Sequence, residues 1–311
     1  MADKYNEDYD VIIIGSGIAG WTAGTYTARG GLKTLLLGGP QPGGQLTTTP
    51  EVENFPGFPD GVNGVELVER AQNQAQKFGA ELTFEVVEEI KPGAALEVQT
   101  DNANYRVPAV IVATGARPRQ LGLAKEDALR GRGVSYCATC DGFFYRQQKV
   151  AVVGGGNTAL EEALFLTKFV EKVYLIHRRD ALRGAKILQD RVFENDKIEV
   201  IWDSVVKEIE DSEGKNLSGI RLFNKTTEEE SFLEIAGLFI AIGQVPESEP
   251  FKGLLEMDEQ GYIITDQRQR TNIAGIYAAG DVQDSHYRQA VIAAGSAAKA
   301  AMEVERYLLE R

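Results

Sequence analysis

A run of four apolar residues, Val11-Ile12-Ile13-Ile14, enters Gly15-Ser16-Gly17-Ile18-Ala19-Gly20, and a helical stretch over 21–29 comes next. The plan returns later, where Val150-Ala151-Val152-Val153 enters Gly154-Gly155-Gly156-Asn157-Thr158-Ala159 ahead of a helical run over 160–168. No other feature restricts the fold as much. A short, continuous apolar run is the pattern of a strand buried on both faces of a parallel sheet. Placed between such a strand and a helix, G-x-G-x-x-G or G-x-G-x-x-A is the context of a dinucleotide site. The first glycine permits the tight turn, the second lets a pyrophosphate approach the backbone, and the third lets helix pack on strand. Free amides and the dipole at the helix N-terminus then favour the diphosphate. Two such stretches predict an α/β protein with two Rossmann-like nucleotide-binding domains.

The strands after the two fingerprints end differently. The strand over 33–37 runs into Gly38-Gly39-Pro40, where an acidic residue would usually bind ribose. The strand over 173–176 ends in His177-Arg178-Arg179, with Arg183 one helical turn further. An acid hydrogen-bonds a 2′-hydroxyl, whereas arginines suit a 2′-phosphate, so the second site reads as one for NADPH. After the first site come Gly43-Gly44-Gln45, Leu46-Thr47-Thr48-Thr49 and Glu53-Asn54-Phe55-Pro56-Gly57. That stretch is either a surface loop or a loop laid against a planar polar ring, whose heteroatoms the Gln45 and Asn54 amides would meet. Residues 64–78 predict an amphipathic helix burying Val65, Leu67, Val68, Ala71 and Ala75. Segments 81–90 and 96–100 predict a small antiparallel layer.

The repeat extends beyond the fingerprints. Residues 238–246 echo 110–118, each an apolar strand, a glycine turn and a closing proline. The apolar stretch 271–281 ends in Gly280-Asp281, and Arg288-Gln289-Ala290 opens an Ala-rich helix. Neither begins a third unit. The simplest arrangement returns this piece to the first domain, giving 1–118 and 247–311 as one domain and 119–246 as an insert. Arg117-Pro118 and Gln244-Val245-Pro246 are then the two linkers, placed to act as a hinge.

Two cysteines occur in 311 residues, and both lie in Cys137-Ala138-Thr139-Cys140, with Asp141 next in the chain. The spacing fits a redox pair, a small structural disulfide or half a metal site. A four-residue ring removes little unfolded-state entropy, and only His177 and His286 are available to complete a zinc site. Redox chemistry is the favoured reading. A net charge of −13 with no basic face excludes nucleic acid as an expected partner and disfavours anionic membranes. No window reaches 18 uninterrupted apolar residues, so no membrane span is expected. Residues 1–10 are polar and acidic without the basic start of a signal peptide, so a cytoplasmic setting is expected. In a reducing cytosol a disulfide is more often catalytic than architectural.

The chain resembles the low-molecular-weight thioredoxin reductases, the bacterial-type, two-domain branch of the pyridine nucleotide-disulfide oxidoreductases. The resemblance spans essentially the whole chain and rests on G-S-G-I-A-G, G-G-Q-L-T-T-T, E-V-E-N-F-P-G, C-A-T-C-D-G, G-G-G-N-T-A-L-E-E-A, H-R-R-D-A-L-R, A-A-G-D-V and Y-R-Q-A, in that order. In the larger glutathione-reductase type the cysteine pair comes after the first fingerprint and encloses four residues; here it precedes the second and encloses two. Two positions depart from the pattern: Gln244 stands where some members carry histidine, and residues 38–42 are Gly/Pro-rich where others carry charge.

The resemblance implies two three-layer ββα domains, with the NADPH domain inserted into an FAD domain. FAD would lie against Gly15, Ser16, Gly17, Ile18, Ala19, Gly20, Gly38, Gly44, Gln45, Leu46, Asn54, Val87, Ala113, Thr114, Gly115, Gly280, Asp281, Arg288, Gln289 and Ala290. NADPH would lie against Gly154, Gly155, Gly156, Asn157, Thr158, Ala159, His177, Arg178, Arg179, Arg183, Ile242 and Gly243. A homodimer and thioredoxin as protein substrate are implied as well. Electrons would run from NADPH through FAD to Cys137-Cys140 and on to the partner disulfide, with Asp141 as general acid-base. Because cysteines and NADPH share one domain and must both reach one flavin, the hinge implies rotation between half-reactions. The alternatives are a reductase of another small redox protein (glutaredoxin-like or peroxiredoxin-linked) and a non-catalytic redox-sensing flavoprotein. A flavin-dependent disulfide oxidase leaves the arginines without purpose, and a ferredoxin-NADP reductase leaves the cysteines without one.

Overall fold

A computed structural model describes residues 5–39, 42–49, 51–212 and 214–311. Expectations placed on Pro40, on Gln41 within the 38–42 stretch and on residues 1–4 lie outside the described residues. The chain divides into two compact units, unit 1 comprising 1–117 and 245–311, and unit 2 comprising 118–244. The first segment of unit 1 holds β1 (Val11–Ile14), α1 (Ile18–Arg29), β2 (Thr34–Leu37), α2 (Gly64–Lys77) and β3 (Glu81–Thr83). It continues through β4 (Val87–Lys91), β5 (Leu96–Thr100), β6 (Asn104–Val107), β7 (Ala109–Val112) and β8 (Ala116–Pro118). Unit 2 begins with β9 (Val134–Ser135), α3 (Ala138–Asp141), β10 (Lys149–Val153), α4 (Asn157–Leu166), β11 (Lys172–Ile176) and α5 (Lys186–Phe193). It closes with β12 (Ile198–Ile201), β13 (Ser204–Ser212), β14 (Asn216–Asn224), β15 (Glu230–Glu234) and β16 (Gly237–Ile240), and β17 (Gln244–Pro246) straddles the join after 244. The chain then returns to unit 1 with β18 (Ile276–Ala278) and α6 (Ala290–Leu309).

Unit 1 is built on a parallel sheet of order β18-β7-β1-β2-β3. Successive side chains of a strand point to opposite faces, and β1 uses both. Val11 and Ile13 pack with Trp21, Ala297 and Ala301 under the helices, whereas Ile12 and Ile14 pack with Val98 and Val107 of the antiparallel sheet β4-β5-β6. A strand buried on both sides has no use for polar residues, which is why β1 reads as a solid apolar run. Unit 2 repeats the plan with a parallel sheet β12-β11-β10-β16-β9. Val150 and Val152 face Leu160 and Leu166 of α4, while Ala151 and Val153 face Ile209 and Ile220 of the antiparallel sheet β13-β14-β15. Each unit is thus three layers, helices, parallel sheet and antiparallel sheet.

Two expectations from the sequence need correction. The segment 81–90 is not one antiparallel strand: Glu81–Thr83 joins the parallel sheet beside β2, and the antiparallel layer starts at Val87. Helix α2 buries Leu67, Val68 and Ala75, but Val65 is exposed. Val65 sits in the first turn, where its amide and that of Glu66 donate to the Asn63 side chain that caps the helix. Among the described residues no helix is long and apolar enough to cross a membrane.

Candidate functional site

In each unit the strand order reverses beside the strand that carries the glycine-rich turn. Sheets of this kind bind ligands in the crevice outside the carboxyl ends of the strands at that reversal. In unit 1 it lies between β1 and β7, so Gly15–Gly20 and Ala113-Thr114-Gly115 border one crevice. In unit 2 it lies between β10 and β16, so 154–159 and Ala241-Ile242-Gly243 border the other.

The glycines in these turns answer to two different demands. A Cβ on Gly15 would lie 2.3 Å from the Ala113 carbonyl oxygen, and one on Gly20 would lie 1.9 Å from that of Gly15. Both are needed by the protein itself. A Cβ on Gly17 would meet nothing closer than 3.9 Å, and one on Gly156 nothing within 4 Å. Gly17 and Gly156 are also the N-cap residues of α1 and α4, and neither helix has a side-chain cap or an acidic residue in its first turn. Those two open positions, at helix N-termini whose amides have no side-chain acceptor, fit a diphosphate approaching the backbone.

The remaining unit 1 residues cluster around this crevice or buttress it. Ser16 is buried and its Oγ accepts from the Gly43 amide at 3.1 Å. A Cβ on Gly38 would meet that same Oγ at 3.2 Å. Gly44, at φ +67°, passes Gly17 closely enough that a Cβ would lie 3.2 Å from its Cα. Gln45 and Leu46 begin a single 3-10 turn, and the Gln45 side-chain amide donates to the Ala116 carbonyl. Asn54 Nδ2 donates to Gln289 Oε1 at 3.1 Å, joining two residues 235 positions apart. Thr114 Oγ1 donates to the Glu247 carbonyl at 2.6 Å. Val87 is buried in the apolar cluster between the sheets. Gly280, at φ +75°, donates to Ser296 Oγ at 2.9 Å, and a Cβ there would lie 2.9 Å from that of Ala19. Asp281 is next in the chain, and burial pushes its carboxyl up to about 6, Asp284 adding to the effect and Arg288 opposing it. The Arg288 amide donates to Asp284 Oδ2 at 3.2 Å, and Gln289 and Ala290 start α6.

Unit 2 carries the second crevice and the cysteines. Arg178, Arg179 and Arg183 are exposed, and none forms an ion pair with a described residue. His177 is different. It is only 4% exposed, its Nδ1 lies 2.9 Å from the Gly154 carbonyl oxygen, and a Cβ on Gly155 would fall 2.3 Å from its ring. The Asn157 side chain accepts from the Ala185 amide at 2.7 Å. Thr158 is half-buried in the first turn of α4, and Ala159 is fully buried, its Cβ in the space a Cβ on Gly154 would need. Ile242 is exposed at the end of β16, and Gly243 turns at φ +105°. Gln244 opens β17, and its Oε1 is buried with no hydrogen-bond partner among the described residues.

Cys137 and Cys140 are joined as a disulfide across the one-turn helix α3. The Cys140 amide donates to Cys137 Sγ at 3.2 Å, a contact that favours a thiolate there once the bond is opened. Asp141 stands at the N-cap of a 3-10 turn over Gly142–Tyr145, but its side chain makes no capping hydrogen bond there. Its Oδ2 accepts from Ser135 Oγ at 2.6 Å, and that hydroxyl accepts in turn from the Cys137 amide at 3.1 Å. Burial raises the Asp141 carboxyl above the ordinary range, with Ser135 and Arg130 pulling the other way. Tyr145 is pushed up to about 12 by its own burial and by the Asp141 charge. Ser135 is the residue that sequence reasoning missed. No spacing marks it, because only the meeting of β9 with the end of α3 brings it to the carboxylate.

A fold of two ββα units, a paired glycine-rich crevice in each and a disulfide beside a half-buried carboxyl define a class of nucleotide-dependent disulfide oxidoreductases. The chain belongs to the pyridine nucleotide-disulphide oxidoreductase family, whose model matches residues 9–297. Within that family it is 50% identical over 312 residues to a thioredoxin reductase of Streptomyces coelicolor, covering 99% of this chain and 95% of the relative. The crystal structure of thioredoxin reductase from Streptococcus pyogenes MGAS5005 is 44% identical, with a TM-score of 0.93 over 97% of this chain and 99% of that one. Thioredoxin reductase from Giardia duodenalis is 40% identical, with a TM-score of 0.92 over 98% of this chain and 100% of that one.

Proposed function

We propose that this chain is an NADPH-dependent thioredoxin-disulfide reductase in which unit 1 holds FAD and unit 2 holds NADPH. When bound, NADPH supplies a hydride and FAD converts it to the electron pair that opens a disulfide. The observation that carries the reading is the Cys137–Cys140 disulfide beside a half-buried Asp141 whose carboxyl is raised above the ordinary range by desolvation. The same unit carries an open glycine-rich turn and three exposed arginines that pair with no carboxylate among the described residues.

The chain's own residues have defined tasks. Gly17 and Gly156 leave the space for the diphosphates, and the helix N-terminal amides just beyond them hold the charge. Arg178, Arg179 and Arg183 receive the 2′-phosphate. Reduction of Cys137–Cys140 takes two electrons and gives a dithiol. One thiolate then attacks the thioredoxin disulfide, forming a mixed disulfide, and the second resolves it, releasing the reduced partner and restoring the pair. Each opened disulfide leaves a thiolate that needs a proton. Asp141, adjacent to Cys140 and kept protonated to higher pH by burial, supplies it.

Rotation about the two linkers would bring the disulfide and the nicotinamide to the flavin in turn. A homodimer working in the cytoplasm completes the reading. The test is direct. Anaerobic addition of NADPH to the yellow holoprotein should bleach the flavin, and adding thioredoxin with insulin should then give sustained NADPH oxidation. Bleaching without turnover by any thioredoxin or glutaredoxin would point instead to a redox-sensing flavoprotein.

A further inference from the structure

His177 sits at the end of β11, beside Arg178 and Arg179, and would be grouped with them as a contact to the 2′-phosphate. The structure places its ring elsewhere. It is 4% exposed while both arginines beside it are exposed. A carbonyl only accepts, so the 2.9 Å contact to Gly154 makes Nδ1–H the donor. The ring lies directly under Gly155, in the volume that a Cβ on that residue would need. Trp202 meets the ring edge-on with centroids 6.4 Å apart, and Phe193 packs on Trp202 in turn. The Gly155 carbonyl in turn accepts from the amides of Arg183 at 2.7 Å and Gly184 at 3.1 Å. One imidazole therefore supports both the turn that faces the diphosphate and the backbone that carries Arg183.

We infer that His177 is a positioning residue that holds the second glycine-rich turn in its binding shape, and that it makes no contact of its own with the 2′-phosphate. The inference rests on the reading of unit 2 as the NADPH site and goes beyond it in assigning the role. It separates His177 from its neighbours by ligand chemistry. A residue that touches the 2′-phosphate affects only ligands that carry one. A residue that shapes the turn affects every ligand with the diphosphate, whether or not the 2′-phosphate is present.

The experiment is calorimetric titration of the oxidised holoprotein with two probes, NADP+ and ADP-ribose, the second having the diphosphate but no 2′-phosphate. Arg178→Ala should weaken NADP+ and leave ADP-ribose within about twofold. His177→Ala should weaken both by a similar factor, on the order of 10-fold. His177→Asn, which keeps a donor near the Nδ1 position, should recover part of the loss for both probes. A second route avoids reliance on the alanine variant alone. Gly155→Ala should weaken both probes because its Cβ enters the ring's volume, and Gly155→Ala/His177→Ala should bind both more tightly than Gly155→Ala does. If His177→Ala weakens NADP+ but spares ADP-ribose, or spares both, the positioning role is wrong. It is also wrong if removing the ring does not relieve Gly155→Ala. Should the wild-type protein bind neither probe, the reading of unit 2 itself has failed, which is a separate result.

Discussion

At the scale of single residues, burial pushes two carboxyls, Asp141 and Asp281, the same way, with different consequences. For Asp141 the consequence is kinetic. In the proposed reaction the protonated acid is the active form, so thioredoxin reduction should fall as pH rises through its elevated value. Asp141→Asn should lower the rate by roughly 10²-fold or more, the usual reach of a lost general acid. Ser135→Ala removes a donor that favours the ionised form, so it should move the alkaline limb of the profile to higher pH while lowering the plateau. A pH profile of rapid-mixing rates for the three proteins checks both, and an unmoved limb in Ser135→Ala would break the link to Asp141. For Asp281 the consequence is stability. Its folded value of about 6 lies above the ordinary 3.8, so the folded state holds the proton more tightly than the unfolded one. This contribution is present below the unfolded value and is lost as pH rises from about 4 to 6. Asp281→Asn should therefore flatten that loss in the flavin-free protein, by on the order of 2 kcal/mol at pH 7. Urea melts of variant and wild type, compared as a difference between pH 4 and 7, measure it. Cys137, Cys140 and Asp141 were legible because cysteine is scarce and the motif is local. Ser135 was not, since its role depends on a contact that no period or spacing encodes.

At the scale of elements, the two glycine-rich turns make the same distinction twice. Gly20→Ala drives a methyl into the Gly15 carbonyl, and backbone does not yield as a side-chain tip does. It should cost about 1–3 kcal/mol of stability even without flavin. Gly17 has φ −73° and an open Cβ direction, so Gly17→Ala should fold with a melting temperature near wild type and lose flavin on purification. Apo-protein melting and the flavin-to-protein ratio separate the two. Equal destabilisation by both substitutions would mean that Gly17 serves the fold and not the ligand. The strands feeding these turns were plain in the sequence, because burial on both faces leaves only apolar residues at 11–14 and 150–153. Periodicity could not supply partnership. Residues 81–83 form a strand too short to show alternation, and only pairing with β2 decides that they extend the parallel sheet. Adjacency in the chain likewise grouped His177 with Arg178 and Arg179, although its ring is buried and theirs are exposed side chains.

At the scale of the whole molecule, the proposed alternation between two half-reactions depends on the two places where the chain passes between units. Strands β8 and β17 pair with each other in a two-stranded sheet of their own. On the unit 1 side the Glu247 amide donates to the Gly115 carbonyl at 2.9 Å, and Arg117 pairs with Glu247 at 2.6 Å. On the unit 2 side the Arg119 amide donates to the Gly243 carbonyl at 3.0 Å. Each connector is thus fastened to its own unit within a few residues of the join, which confines any rotation to the short stretch between. The repeat in the sequence ends at Pro118 and Pro246, close to the joins after 117 and 244, and self-similarity carries no sign that the connectors pair. If one flavin must serve both a nicotinamide and a disulfide carried by unit 2, a cross-link that fixes the units should leave a single half-reaction. Protein locked through engineered cysteines with a photocleavable reagent should either bleach with NADPH or exchange electrons with reduced thioredoxin, and should not turn over. Irradiation should restore turnover. Locked protein that still cycles at the wild-type rate would rule out rotation and require both half-reactions to proceed in one arrangement.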